Sequence, residues 1–496
     1  MAELVMVYPR TGYDIKNVSV DMPLASLSVA SMVSEERETK IIDMRIDADW
    51  EKHLKQELQK EPVAVGISSM TGTQIKFGLD ACRVVKDSNA HIPVVWGGIH
   101  ATLLPQQTLQ NELIDVVAIG EGEIVIAPLL NALEKNNEKK RLELLKKTNN
   151  IIFKQRKGKE ERQVKTKSAG FADLDKLPAL PYELIDIENY IHTKSMVGKG
   201  TEKALPFITS RGCPYRCTFC CNPRLSLRRW RCMSAERSYA LVNEMVEQFD
   251  LDAVIFHDEN FFANPARAEK IAELINNKFN FGIQARMDAL GRVDLQKMER
   301  YGLSVVQPGI ESGSERILQL IKKDESVSEI LKVNKKLAKT SIVSVYNFMM
   351  GFPTETNQEL VESTDLALKL IKENPNAELS GFYVFAPYPG TELFDFAVAN
   401  GFSVPNTLEG WAIYSRQHLQ TPWIQDKLDV IKNIMYTSKL VDGKRLEGML
   451  SSLHMPRSLL KKFGSHYRKR WEKHDFSNKI DTKLMNFITR TYFGWE

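Results

Sequence analysis

The chain has 496 residues, 43% hydrophobic and 26% charged, the balance of a globular protein of roughly two to four domains. A net charge of +4 is too small at this length to argue for nucleic acid, and no nucleic-acid partner is expected. The N-terminus MAELVMVYPR lacks the basic region and cleavage site of a signal peptide, and no apolar run reaches the roughly 20 residues that span a bilayer, so a cytoplasmic chain is expected.

Residues 1–135 alternate short apolar runs with amphipathic stretches, which predicts βαβ units. Strands are expected at Leu4–Tyr8, Lys40–Asp43, Ala64–Ser68, Pro93–Gly97 and Val116–Gly120, with a helix over Thr73–Lys86. This suits an α/β, doubly wound, Rossmann-like sheet, whose ligands bind at the carboxyl ends of the strands. Residues 136–203 are expected as a linker: a charged run from Glu134 to Arg141, a hairpin turning at Lys157-Gly158-Lys159, then Leu177-Pro178-Ala179-Leu180-Pro181.

A second βα series occupies 204–392. Strands are expected at Pro206–Ser210, Ala253–His257, Gly282–Arg286, Ser304–Gly309, Ser344–Met349 and Glu378–Phe385, separated by helices such as Ala235–Glu247, Ala266–Asn276 and Glu359–Lys372. Six parallel strands with right-handed crossovers make a partial (βα)6 barrel, with its chemistry at the strand carboxyl ends. Residues 393–496 read as a helical C-terminal domain, with helices at Asp426–Leu440 and Arg457–Trp471 and a surplus of Lys and Arg.

Six cysteines are few, and they cluster: Cys213, Cys217 and Cys220 follow the first barrel strand with spacing C-x3-C-x2-C, Cys221 and Cys232 are near, and Cys82 stands alone. A disulfide scaffold would spread its cysteines, so the cluster points to metal or redox chemistry. A closed iron–sulfur cubane takes four thiolates, and three would leave one iron open for a substrate or cofactor. Structural zinc needs a fourth ligand, and Cys221 is poorly placed beside Cys220. Buried inert thiols would not cluster in this way.

This motif resembles the signature of the radical S-adenosylmethionine (SAM) superfamily, and a β/α domain preceding the barrel resembles its cobalamin-binding subfamily, over about residues 1–390. The resemblance implies a [4Fe–4S] cluster on Cys213, Cys217 and Cys220, SAM chelated at the open iron, and its reductive cleavage to a 5′-deoxyadenosyl radical. Such hydrogen-atom abstraction is chemistry that a cofactor carries and side chains cannot. Asp258 and Glu259, in Phe256-His257-Asp258-Glu259-Asn260-Phe261, resemble acceptors of the methionine ammonium. Glu311 and Ser312 resemble the SAM-contacting pair, although Ser312 or Ser314 could equally cap a helix. Gly351, in Met349-Met350-Gly351-Phe352-Pro353, resembles the adenine-lining segment. Tyr215 and Phe219, inside the cysteine loop, could shield the cluster or simply pack.

For the first domain the resemblance implies cobalamin, its nucleotide tail received near Ser68, Ser69, Thr71, Gly97 and Gly98. The D-x-H-x-x-G motif that supplies a cobalt-ligating His is absent, and His100 is expected as a hydrogen-bonded loop histidine. The alternative is a degenerate domain that keeps only a structural or positioning role.

The activity implied is methyl transfer to an unactivated carbon of a small-molecule or lipid substrate, with a reductant such as flavodoxin or ferredoxin. Ring closure, oxidation or rearrangement of a tetrapyrrole- or lipid-type substrate is the alternative enzyme reading. A methylthiotransferase would need three further N-terminal cysteines, and only Cys82 is there. From another class, the chain could be a cobalamin carrier or an electron-transfer protein. Phe463, Tyr467 and Trp471 interleave with the C-terminal basic residues, a pattern that could rest on an anionic membrane surface or cover the barrel.

Overall fold

The structure is a computed structural model and describes residues 3–12, 14, 20–157, 160–191, 203–414, 420–441, 457–477 and 483. It divides into two units, Met1–Tyr190 with Val404–Ser415, and Ile191–Ser403 with Arg416–Glu496.

In the first unit, five short strands rich in Val and Ile run parallel: β1 Leu4–Tyr8, β2 Thr39–Asp43, β3 Ala64–Ser68, β4 Val94–Gly97 and β5 Val116–Ala118. Near-continuous apolar runs are what a sheet covered on both faces requires, and every residue of β5 is buried. The order β2-β1-β3-β4-β5 reverses direction at β1/β3, where such folds open a ligand crevice. The stretch expected as a linker adds to this sheet. β6 Ile151–Lys157 pairs antiparallel with β5, and β7 Glu160–Lys165 pairs with β6. Gly158 and Lys159, at the expected turn, lie outside the described residues.

The second unit holds six parallel strands in sequential order: β8 Ala204–Phe207, β9 Ala253–Phe256, β10 Asn280–Ala285, β11 Leu303–Glu311, β12 Val343–Met350 and β13 Ala377–Val384. This is the partial barrel that the alternation of strand and helix patterns predicts. β8 begins and ends earlier than the apolar run suggests, because the buried Asp258 takes over the next residues. It accepts from Thr209 N at 2.7 Å, Thr209 Oγ1 at 2.6 Å and Ser210 Oγ at 2.5 Å. Ser210–Arg211 then pairs antiparallel with Arg231–Cys232.

Behind the barrel the helix Leu428–Val441 packs on β13, and the helix Arg457–Glu472 packs on it in turn. Of the two readings of the last helix, the one that covers the barrel holds for Tyr467 and Trp471. Tyr467 and Trp471 face inward and are buried, with Trp471 Nε1 donating to Thr437 Oγ1 at 2.8 Å and its ring edge-on to Phe382. They are not free to rest on a membrane surface, while Lys462, Arg468 and Lys469 stay exposed. The side chain of Phe463 lies outside the described residues. Among the described residues no helix is long and apolar enough to cross a membrane.

Candidate active site

The cysteine loop is closed by the antiparallel pair at its base and turns at Gly212, whose φ is +86°. A Cβ there would lie 2.2 Å from the Arg229 carbonyl oxygen, so only glycine fits. Thr218 N donates to Ile321 O and Leu393 N donates to Thr218 O, both at 2.9 Å, which pins the loop to the segment beyond β11 and to the helix Glu392–Ala399. Cys213, Cys217 and Cys220 are half-buried, and the charges of Cys217 and Cys220 are felt at Cys213. Burial pushes the Cys213 thiol up to about 11 and also raises Cys217. A cation or an iron ion is what would offset that burial and leave them as thiolates. The neighbouring Cys221 thiol and burial together raise Cys220. Among the described residues no three His, Cys, Asp or Glu side chains meet at the spacing of a single metal ion.

The strand-end motifs gather around this loop. The side chain of Glu259 reaches solvent and accepts from Gly212 N at 3.1 Å, while the atoms around it raise its pKa by desolvation. Its neighbour Asp258 is wholly buried, committed to Thr209 and Ser210, and raised by that burial. Asn260, not singled out from sequence, is fully buried with neither side-chain amide atom partnered. A buried amide without a protein partner is costly unless water, an ion or a ligand meets it. Glu311 closes β11 with φ +67°, a conformation costly for a residue with a side chain and common at functional sites. Its carboxylate accepts from the buried Lys323 Nζ at 3.0 Å. Ser312 is buried against Ser363, 3.1 Å between hydroxyl oxygens. Ser314, rather than Ser312, caps the helix Glu315–Leu320.

Gly351 has φ +75°, and its N–H donates to the buried Glu355 at 2.5 Å. Burial pushes that carboxyl up to about 8. Phe352 meets Phe219 of the cysteine loop edge-on, 6.5 Å between centroids, so this motif and the loop share one wall. Tyr215 lies under Arg286, 3.8 Å from ring centroid to guanidinium carbon. Three half-buried thiols, a glycine-lined segment, a strained carboxylate and an orphaned buried amide form a donor set that fits an iron–sulfur cluster and a zwitterionic adenosyl ligand.

In the first unit the loops after β3 and β4 interlock. Ser69 N donates to Gly97 O at 3.1 Å, Trp96 Nε1 donates to Ser69 Oγ at 2.8 Å, and Thr71 Oγ1 lies 2.9 Å from His100 Nδ1. Ser69 and Thr71 are therefore buried on protein partners, whereas Ser68, Gly97 and Gly98 remain half-exposed. Gly98 has φ +93°, and a Cβ would strike Ser69 O at 2.5 Å. Beside these bare backbones Met70 and Ile99 are exposed. An apolar rim around side-chain-free backbone fits a large macrocycle with an amide periphery. His100 is fully buried against Trp411, its Nε2 without a partner, and burial lowers it to about 4.

Two family models match: the radical SAM superfamily over residues 207–367 and the B12 binding domain over residues 13–130. The chain belongs to the cobalamin-dependent radical SAM enzymes. Its cofactors are a [4Fe–4S] cluster, SAM and cobalamin. It is 29% identical over 408 residues to the uncharacterized methyltransferase PH0819 of Pyrococcus horikoshii, covering 80% of this chain and 83% of that one. It is 25% identical to the anaerobic magnesium-protoporphyrin IX monomethyl ester cyclase of Cereibacter sphaeroides over 86% of this chain, but spans only 64% of that protein. In fold it is similar to the cobalamin-dependent SAM radical enzyme OxsB, solved with aqua-cobalamin and SAM bound, with a TM-score of 0.72 at 17% identity over 98% of this chain and 75% of that one. A radical SAM enzyme is an active catalyst, so the carrier and electron-transfer readings give way. Arg286, Lys323 and Asn260 escaped the sequence reading. A charged residue ending an apolar barrel strand is the signal that could have found Arg286.

Proposed function

We propose that this radical SAM enzyme transfers a methyl group to an unactivated carbon of a small-molecule substrate. The observation that carries the reading is likeness to a protein named a methyltransferase over four-fifths of the chain, joined to two cofactor domains on one polypeptide. When bound, SAM on the cluster supplies hydrogen-atom abstraction and cobalamin supplies the methyl group.

Cys213, Cys217 and Cys220 hold the cluster and leave one iron for SAM. Glu259, the carboxylate that reaches solvent, takes the ammonium. Asp258 acts one step back, fixing the backbone that enters the cysteine loop. Glu311 and Ser312 flank the ribose, and Gly351 lets the backbone approach adenine. Ser68, Gly97 and Gly98 receive the cobalamin tail, with Ser69 and Thr71 holding their loops in shape. A reducing, cytoplasmic setting keeps the thiols free, and a flavodoxin or ferredoxin is the reductant class. The exposed basic residues Lys462, Arg468 and Lys469 leave room for a lipid or membrane-surface substrate.

A second reading, ring closure on a tetrapyrrole-type substrate, is favoured by the cyclase likeness. Anaerobic turnover with methyl-deuterated SAM, cobalamin, reductant and a metabolite extract separates the two. Methyl transfer predicts a product carrying the labelled methyl group. A product that has lost hydrogens and carries no label would replace it with the second reading.

A further inference from the structure

Arg286 stands at the end of β10, fully ordered by its neighbours. Its Nη1 lies 3.6 Å from Cys217 Sγ, and its plane covers the Tyr215 ring. Nε donates to Asp288 at 2.8 Å, Nη2 donates to Lys323 O at 2.5 Å, and Glu325 is 3.7 Å from Nη2. The acids therefore hold the far edges of the guanidinium and leave one donor for the sulfur. Behind it Lys323, also buried, is paired with Glu311 and lies 3.8 Å from Glu325. At Cys217 the positive charges of Lys323 and Arg286 are felt more strongly than the negative charge of Glu311.

We propose that Arg286 is a positioning residue that sets the reduction potential of the cluster through Cys217. The inference rests on Cys217 being a cluster ligand. Reduction adds one electron to a buried anionic cluster. A fixed positive charge and an N–H···S hydrogen bond at one ligand favour the more negative, reduced form, because cluster potentials follow net charge and hydrogen bonding to sulfur. Guanidinium keeps its charge at any working pH. Lys323 and the acids serve to hold that guanidinium, and they also join the cluster to Glu311, the strained carboxylate beside it. Readiness to accept an electron and the SAM-side carboxylate thus share one ion network.

The test is an EPR-monitored redox titration of the reconstituted full chain with Ti(III) citrate, beside iron analysis. Arg286→Gln is expected to retain iron yet show a more negative midpoint. At a fixed potential its ratio of reduced to oxidised cluster should fall about tenfold, about 59 mV for a one-electron couple. Arg286→Lys should recover part of the shift, which a purely structural role would not do. Glu325→Gln, which strips an anion from behind the guanidinium, should move the midpoint the opposite way, and it decides the matter if Arg286→Gln assembles no cluster. An unchanged midpoint in Arg286→Gln at full iron content, or in Glu325→Gln when it must decide, overturns the proposal. Wild-type protein that assembles no cluster would instead remove the ligand assignment beneath it.

Discussion

The two units handle their cofactors with opposite chemistry. The barrel site is crowded with charge: Arg286, Arg292 and Lys323 are interleaved with Asp288, Glu311 and Glu325 within reach of a cysteine loop. The first unit presents half-exposed Ser68, Gly97 and Gly98, exposed Met70 and Ile99, and a histidine that burial keeps neutral. Charged groups suit an anionic cluster and a zwitterion, since each ionic partner offsets the desolvation of another. Bare backbone suits a bulky ligand whose recognition is by close approach. The difference teaches that the two sites are separable, and that a substitution in one should leave the other's occupancy untouched.

The strongest break of that separation would come from the thiols. Cys213→Ala is expected to remove essentially all cluster iron while cobalamin binds as in wild type, and Cys221→Ala is expected to keep its iron. Iron analysis and visible absorption of anaerobic protein check this, and iron retained by Cys213→Ala would count against the ligand set. A smaller effect is expected from Gly98→Ala, which puts a Cβ 2.5 Å from Ser69 O at a positive φ. Cobalamin affinity should fall at least about tenfold, with roughly 1–3 kcal/mol of local strain, and iron should be unchanged. Titration with hydroxocobalamin reads the outcome, and unaltered affinity would leave this loop out of the cofactor site.

The smallest effect sharpens the comparison by pH. His100 is held near 4 by burial against an unfolded value near 6.5. Between those values the unfolded chain takes up a proton that the native unit refuses, so stability falls as pH drops through that window. The loss should be about 2 kcal/mol between pH 7 and pH 5. His100→Gln should flatten this slope in urea unfolding followed by tryptophan fluorescence. An unchanged slope would place the acid sensitivity elsewhere.

Much of the architecture was legible because strand and helix periods differ. The parallel strands of both units were expected within a few residues, as was the helix Thr73–Ser88. The first barrel strand was expected too late because nothing local shows that Asp258, 49 residues on, captures Thr209. The cysteine loop was legible because its spacing is local. Arg286 was not, since its meeting with Cys217 joins residues 69 apart and exists only once β8 and β10 lie in one barrel. For the same reason the sequence did not show that the hydroxyls of Ser69 and Thr71, expected as cofactor contacts, also meet Trp96 and His100. The aromatic residues of the last helix left two readings open, a membrane surface or the barrel, and Tyr467 and Trp471 are buried against the barrel side. An amphipathic pattern shows that a face is covered, and here β13 and its helices cover it.

The most direct test of the account is the metal and corrin content of the full chain purified without oxygen, read by Mössbauer spectroscopy and absorption together. The account predicts a four-iron cubane whose spectrum shows one distinct iron on adding SAM, with one cobalamin retained per chain. Zinc in place of iron, or a cluster whose irons all ignore SAM, would contradict it.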